Sequence, residues 1–460
     1  MAKNLYPGGR GEGQVRWSMQ RRIKEYCGLF GICGHRQASY ITYLGLYALQ
    51  HRGEESAGIV SSDDGKGMRC HKGMGQVADV FTEESLKKLT GNRAIGHVRY
   101  STTGSSLMKN AQPLLMEYQK GVTAIAHNGN LVNSRQLKRY LENRGSIFQT
   151  TTDSEIIIHL MAHSRRNSFK RRLLYALKRL KGAYSLLLMD NEQIVGVRDP
   201  YGFRPLCLGK LNNAFCLASE TCAFDLIGAR FIREVEPGEI VFLSKSGLRS
   251  LHPPELKTKV QAMCIFEHIY FARPDSIIFG ETVHSVRKRL GEQLAIEHPA
   301  DADIVIPVPD SGTSAALGFS NMSKIPLEWG IIRNHYVGRT FIQPRQEIRD
   351  LGVKIKFNVL REVIKGKRIV VVDDSIVRGT TSRKRIRNLR RAGAKEVHLR
   401  ISCPPHMYPC FYGIDFPKAS DLLARRMSLK RIKEFLGAVS YTHLRAHETS
   451  LHLVCRLLLE

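Results

Sequence analysis

The stretch Val370-Val371-Val372-Asp373-Asp374-Ser375-Ile376-Val377-Arg378-Gly379-Thr380-Thr381-Ser382 begins as a β-branched apolar run and ends where a helical pattern starts. Ile369 to Val372 suits a short strand buried on both faces of a parallel sheet. It delivers two acids, Asp373 and Asp374, to its carboxyl end, the place where open α/β sheets bind ligands. Arg378, Gly379, Thr380, Thr381 and Ser382 then lead into a helix, whose first N–H groups and positive dipole end attract phosphate. Gly379 allows close approach of the backbone, and hydroxyls add donors. Paired carboxylates accept from ribose hydroxyls or hold Mg²⁺ through water. The spacing is neither that of a P-loop nor that of a dinucleotide fingerprint. The stretch reads as a loop that grips a ribose bearing a phosphate.

Working outward, Ile304 to Val308 is a second buried run, followed by Pro309-Asp310-Ser311-Gly312-Thr313-Ser314 and a helical pattern. This strand–loop–helix rhythm beyond about residue 285 predicts an α/β domain. Arg333 to Pro344 mixes cations with a glycine and reads as a lid over an anionic substrate. Up to about residue 250 the chain changes character. Short strands are expected at 94–97, 122–126, 184–189, 194–197 and 215–218, with helices at 134–143, 153–163 and 170–180. That mixture predicts an α+β layered domain. A chain of 460 residues exceeds one ordinary core, which also predicts two domains.

An apolar content of 43% and a charged content of 24% describe a soluble globular chain. No apolar run reaches the roughly 18 to 20 residues that cross a bilayer, so no membrane partner is expected. Met1 to Tyr26 is basic and glycine-rich and lacks the apolar core of a secretion signal; the expected compartment is cytoplasmic. The net charge of +28 invites a nucleic-acid reading. Its cations are spread along the chain, however, apart from a dense run at Arg383 to Arg391 directly behind the phosphosugar loop. Without a helix-turn-helix, zinc-finger spacing or aromatic stacking platform, no nucleic acid is expected as partner. The run reads instead as a solvated helix face or an attractor for a small polyanion. Ten cysteines are scattered with no C-x2-C pair, and most read as small buried apolar residues.

Four islands in the first half carry chemistry together that none carries alone. Tyr26-Cys27-Gly28-Leu29-Phe30-Gly31 offers a thiol, and Gly96-His97-Val98-Arg99-Tyr100-Ser101-Thr102 a guanidinium. Ala126-His127-Asn128-Gly129-Asn130-Leu131 offers an amide side chain beside a glycine N–H, and Thr152-Asp153-Ser154-Glu155 an acid at a helix start, where capping is the ordinary role. Hydrolysis of the glutamine amide needs this set. A thiolate attacks, an oxyanion hole holds the tetrahedral intermediate, and opposite charges grip the α-carboxylate and α-amine. If Cys27 heads a cleaved chain, its α-amine, with an ordinary pKa of about 7.7 to 8.0, serves as the base.

The loop at 370–382 resembles the phosphoribosyl pyrophosphate (PRPP) signature of type I phosphoribosyltransferases. From Cys27 to about Phe416 the chain resembles the glutamine PRPP amidotransferases (amidophosphoribosyltransferases), the family that opens de novo purine synthesis. Leu49-Gln50-His51-Arg52-Gly53, Ser219-Glu220-Thr221-Cys222-Ala223 and Glu267 to Ser276 add to the match. The resemblance implies an α+β N-terminal-nucleophile hydrolase domain of four αββα layers, followed by an α/β type I phosphoribosyltransferase domain. It implies Cys27 as nucleophile, Asn128 and Gly129 as oxyanion hole, and Arg99, Thr102 and Asp153 as glutamine ligands. Asp373, Asp374, Ser375, Arg378, Gly379, Thr380, Thr381 and Ser382 would bind PRPP, with Ser311, Asp373 and Asp374 near Mg²⁺. The implied reaction converts PRPP, glutamine and water to 5-phosphoribosylamine, glutamate and pyrophosphate, with ammonia channelled between the sites. Purine nucleotide inhibitors and a homotetramer are implied as well.

One subgroup of the family carries a structural [4Fe-4S] cluster on four cysteines. Cys264 and Cys410 fall where two of its ligands would be. The C-x2-C pair that would supply the others is absent, so this chain is not expected to bind a cluster. The expected segments are 1–26 as propeptide or mis-started leader, 27–258 as glutaminase domain, 259–439 as phosphoribosyltransferase domain and 440–460 as an anomalous tail. The tail has three histidines but not H-E-x-x-H, and reads as a foreign end rather than a metal site. A truncated inactive copy and a non-enzymatic PRPP-sensing regulator are the alternatives; the regulator would not need the Cys27 set.

Overall fold

A computed structural model of the chain describes residues 27–63, 67–100, 106–334, 357–414 and 418–445. Its first half contains two antiparallel sheets packed face to face. One is built from β1 (Gly28–Cys33), β2 (Ser56–Ser62), β3 (Met68–Met74), β4 (Arg93–Arg99), β9 (Cys207–Leu211), β10 (Ala214–Ala218) and β11 (Arg230–Glu234), in the order β11-β9-β10-β1-β4-β2-β3. The other contains β5 (Leu114–Tyr118), β6 (Gly121–Leu131), β7 (Gly182–Met189), β8 (Gln193–Arg198), β12 (Ile240–Ser244) and β13 (Gly247–Leu251), in the order β13-β12-β8-β7-β6-β5.

The side-chain period of two in each strand sorts residues between layers. Leu29 and Ile95 of the first sheet meet Ala126 and Leu187 of the second in the core between the sheets. Their neighbours point outward: Phe30 packs with Leu46 of the helix Ala38–Ala48 and Phe224 of the helix Cys222–Ile227. Ile125 and Leu186 pack with Leu160 and Leu173 of the helices Ser154–His163 and Phe169–Leu177. Helices, sheet, sheet and helices make the four αββα layers, as expected.

The second half holds a short hairpin of β14 (Ile277–Ile278) and β15 (Glu281–Thr282), then a parallel sheet. The sheet contains β16 (Ile304–Pro307), β19 (Arg368–Asp373), β20 (Glu396–Ile401) and β21 (Ser440–His443), in the order β16-β19-β20-β21. The helices Val283–Glu297, Thr313–Ser323, Thr380–Arg391 and Leu429–Leu436 pack on it around one core that includes Val305, Val370, Leu399 and Leu436. This is the α/β domain that the runs at 304–308 and 369–372 predict. β17 (Ile331–Arg333) and β18 (Phe357–Val359) pair beside it. The expected lid at 333–344 lies outside the described residues, apart from Arg333 and Asn334.

The stretch set apart in the sequence as a tail is not detached where it is described. Ser440 to His443 pairs in parallel with His398 to Ile401, and His443 Nδ1 bonds the Cys403 carbonyl at 2.9 Å. The leader 1–26 and residues 446–460 lie outside the described residues, and so do His447 and His452. Among the described residues no helix is long and apolar enough to cross a membrane.

Candidate active site

Cys27 sits directly before β1, and the pairing of Gly28 with Val98 brings it level with Arg99 at the end of β4. Its thiol is 9% exposed and donates to the Tyr100 carbonyl oxygen at 3.7 Å. Burial pushes the thiol pKa up, against the pull of the Tyr100 contact and the Arg99 charge. A thiol held in this way needs a base before it can attack. Arg99 is 2% exposed and donates to Glu55. Thr102 lies outside the described residues.

One hydrogen bond ties this edge of the first sheet to the second. His97 Nε2 donates to the His127 carbonyl oxygen at 3.1 Å, one residue before Asn128. Burial holds His97 neutral, with its pKa down at about 3. Asn128 is fully buried, and neither Nδ2 nor Oδ1 has a hydrogen-bond partner among the described residues. An amide buried without partners is costly, and a catalytic role or a bound water or ligand accounts for such a group. Gly129 follows with φ +148°, in a conformation that L side chains rarely adopt.

Asp153 lies at the N-cap position of the helix Ser154–His163, but its side chain makes no cap bond. It turns back to β6 instead, accepting from the Leu131 N–H at 2.8 Å and facing His127 Nδ1 at 3.5 Å. Burial alone would raise its pKa. The His127 imidazole and the Leu131 N–H outweigh that and hold the carboxylate below its usual range. Thus Cys27 stands before β1, Arg99 at the end of β4 and Asn128 and Gly129 near the end of β6, with Asp153 reaching β6 from the start of its helix.

In the second domain the two predicted loops leave the carboxyl ends of adjacent parallel strands, with Pro307 level with Val372. Ser311 Oγ and Ser375 Oγ both donate to Asp374, and the Asp374 N–H donates to Asp373 Oδ1 at 3.1 Å. Burial and the Asp373 charge push Asp374 up to about 7. Asp373 is also raised by burial, although Arg385 Nη1 donates to its Oδ2 at 2.7 Å. Two buried carboxylates in this state fit a divalent cation arriving with an anionic substrate.

Gly379, with φ +73°, forms the N-cap of the helix Thr380–Arg391, and Thr380 and Ser382 stand in its first turn. Arg378 Nη2 donates to Asp421 at 2.8 Å. From the basic run, Arg385 reaches Asp373, and Arg383 lies 4.7 Å over the Phe435 ring.

Cys264 and Cys410 come near one another. Burial, with the Cys410 thiol close by, pushes Cys264 up to about 11 against the Arg204 charge. Cys410 Sγ accepts from the Tyr412 N–H at 3.4 Å. Among the described residues no group of three or more His, Cys, Asp or Glu could hold a metal ion. Cys264 and Cys410 are two thiols, and a [4Fe-4S] cluster is held by four ligands.

Sequence reasoning gave no role to Arg52, Glu220 or Glu267, which are buried together behind Cys27. Their charge in the sequence gave no sign of burial; only their places in the matched islands could have pointed to them.

The glutamine amidotransferase domain family matches residues 97–225. A soybean (Glycine max) chloroplastic amidophosphoribosyltransferase is 51% identical over 429 residues, 92% of this chain and 74% of the relative. The Bacillus subtilis amidophosphoribosyltransferase is 50% identical over 418 residues, covering 90% and 87%. The solved structure of the B. subtilis glutamine PRPP amidotransferase complexed with ADP and GMP superposes with a TM-score of 0.86 at 49% identity, covering 92% of this chain and 91% of that one. Half-identity sustained across both domains, with the thiol, amide and carboxylate sites in place, leads to one conclusion: the chain belongs to the amidophosphoribosyltransferase family.

Proposed function

We propose that residues 27–258 release ammonia from glutamine and that residues 259–439 use it to displace pyrophosphate from PRPP, the first step of de novo purine synthesis. The observation that carries this reading is the Asn128 amide, fully buried with neither polar atom partnered, on a strand tied by one hydrogen bond to the strand that ends in Arg99.

Cleavage of the Tyr26–Cys27 bond frees the α-amine of Cys27, which takes the thiol proton. The thiolate attacks the glutamine carboxamide carbon, and Asn128 Nδ2 and the Gly129 N–H stabilise the oxyanion. Ammonia leaves, and water then cleaves the thioester to give glutamate. Arg99 grips the α-carboxylate and Asp153 the α-amine.

In the second domain ammonia attacks C1 of the ribose as pyrophosphate departs, giving 5-phosphoribosylamine. Gly379, Thr380, Thr381 and Ser382 hold the 5-phosphate at the helix start, with Ser375 and Arg378 at the rim. Asp373 and Asp374 accept from the ribose hydroxyls. Mg²⁺, when bound beside Ser311, Asp373 and Asp374, would offset the pyrophosphate charge. Ammonia passes between the two sites out of contact with water, since free ammonia would be protonated and lost. Cys264 and Cys410 retain the positions of the cluster-bearing subgroup without its full ligand set.

The relative solved with ADP and GMP favours purine nucleotides as inhibitors here, and the family resemblance adds a homotetramer. The cytoplasm is the compartment proposed for this chain, although the soybean relative is named chloroplastic. The test is stoichiometry. Purified protein given PRPP, Mg²⁺ and glutamine is expected to release one pyrophosphate per glutamate formed. Glutamate formation with no pyrophosphate at any PRPP concentration would contradict the reading.

A further inference from the structure

Arg52, at the end of the short turn Gln50–Arg52, is 1% exposed. Its Nε donates to the Cys27 carbonyl oxygen at 3.2 Å and its Nη1 to Glu220. Its Nη2 donates to both oxygens of Glu267, at 3.0 and 2.9 Å. Glu267 comes from the other domain. It opens the π-helical turn Glu267–Phe271, is fully buried, and also accepts from Arg204 Nη1 at 3.3 Å.

The same turn is held from its far side by Arg287. Arg287 Nε donates to the His268 carbonyl oxygen at 2.6 Å and Nη2 to the Ala272 carbonyl oxygen at 2.9 Å. The Arg287 charge in turn acts on Asp374 of the phosphosugar loop. Hydrogen bonds therefore run from the Cys27 backbone through Arg52 to Glu267, at the start of the turn that Arg287 holds.

Burying several charges is a poor way to glue two domains, because desolvation cancels much of the attraction. What a carboxylate meeting a guanidinium through both oxygens supplies is position. Glutamine attack in turn needs the Cys27 backbone held to within fractions of an ångström.

We propose that Glu267 is a positioning residue for the glutaminase site: acting through Arg52, it fixes the Cys27 backbone, so that the first site is complete only when the second domain is seated. The inference rests on Cys27 as the nucleophile.

The test uses the full chain carrying Glu267→Gln, which keeps the shape and removes the charge, with Glu267→Asp and Cys27→Ala alongside. Glutamine hydrolysis and ammonia-dependent PRPP consumption are measured on each. Glu267→Gln is expected to lower kcat with glutamine tenfold or more, to shift KM for glutamine less than threefold, and to leave the ammonia reaction within twofold. Glu267→Asp is expected to recover part of the glutamine activity. A merely structural role would lower both activities together, by the fraction unfolded. That result overturns the proposal, as does a fall of less than threefold with glutamine. If Glu267→Gln does not fold by circular dichroism, Arg52→Lys applies the same criteria from the other side. Glutamine hydrolysis surviving in Cys27→Ala would overturn the Cys27 reading and this inference with it. Loss there, with Glu267→Gln unchanged, overturns this inference alone.

Discussion

Gly129 lies so close to Ala183 that a Cβ placed on it would stand 2.0 Å from the Ala183 carbonyl oxygen. β6 and β7 are paired here, with Gly129 level with Tyr184, so neither backbone can give way without breaking the ladder. With φ at +148° as well, any side chain is excluded twice. Gly129→Ala is therefore expected to destabilise the first domain by about 2 kcal/mol or more. Thermal unfolding should show it as a lowered midpoint, and an unchanged midpoint would refute the close packing.

Asn128 is the complementary case, a side chain buried without hydrogen-bond partners among the described residues. Asn128→Ala should leave the unfolding midpoint unchanged or raise it, because an unsatisfied polar group is removed. Loss of one oxyanion donor typically lowers kcat by about 10² to 10³, or roughly 3 to 4 kcal/mol. Steady-state kinetics with glutamine are expected to show that fall with little change in KM. Equal kcat values for the two proteins would remove Asn128 from the oxyanion hole.

Arg99 tests ground-state recognition. Its guanidinium is buried beside Glu55, and its charge acts on Cys27; in the proposed reading its loss removes the cation for the glutamine α-carboxylate. Arg99→Lys keeps the charge but not the planar fork. KM for glutamine should rise by about tenfold or more, in line with the roughly 1.5 to 3 kcal/mol of a charged hydrogen bond. The ammonia-dependent reaction should stay within twofold. A proportional loss of both reactions would show that Arg99 serves the fold instead.

The carboxylate pair gives a pH signature. Asp374 is pushed up to about 7 by burial and by Asp373, well above its unfolded value near 3.9. A raised carboxyl pKa means that the folded chain binds the extra proton. The associated stability is full below pH 4 and is lost as pH rises through 7. Without PRPP and Mg²⁺, the unfolding midpoint should therefore fall between pH 5 and 8, and Asp374→Asn should flatten that slope. An identical slope in the variant would locate the titration elsewhere.

The regular elements were legible where one period dominated. Ile369 to Val372 and Ile304 to Val308 are continuous apolar runs, and both are buried in the parallel sheet, the first inside it and the second at its edge. The helix at Ser154–His163 was expected almost to its ends, yet the Asp153 side chain turned to β6 rather than capping. That choice depends on Leu131 and His127, which are distant in sequence. The passage from strand to loop to helix over Asp373 to Ser382 was legible because it is contiguous. The use of Arg378 was not, since its partner Asp421 lies beyond the helix. The link from Arg52 to Glu267 was hidden for the same reason: 215 positions separate the two, and nothing in their charges foretells full burial.

The most direct test is the chain with Cys27→Ala, assayed for PRPP consumption with glutamine and, separately, with ammonia. Two sites with divided labour predict no activity with glutamine and retained activity with ammonia, in protein that unfolds at its usual temperature. Loss of the ammonia reaction as well, in that same folded protein, would contradict the division.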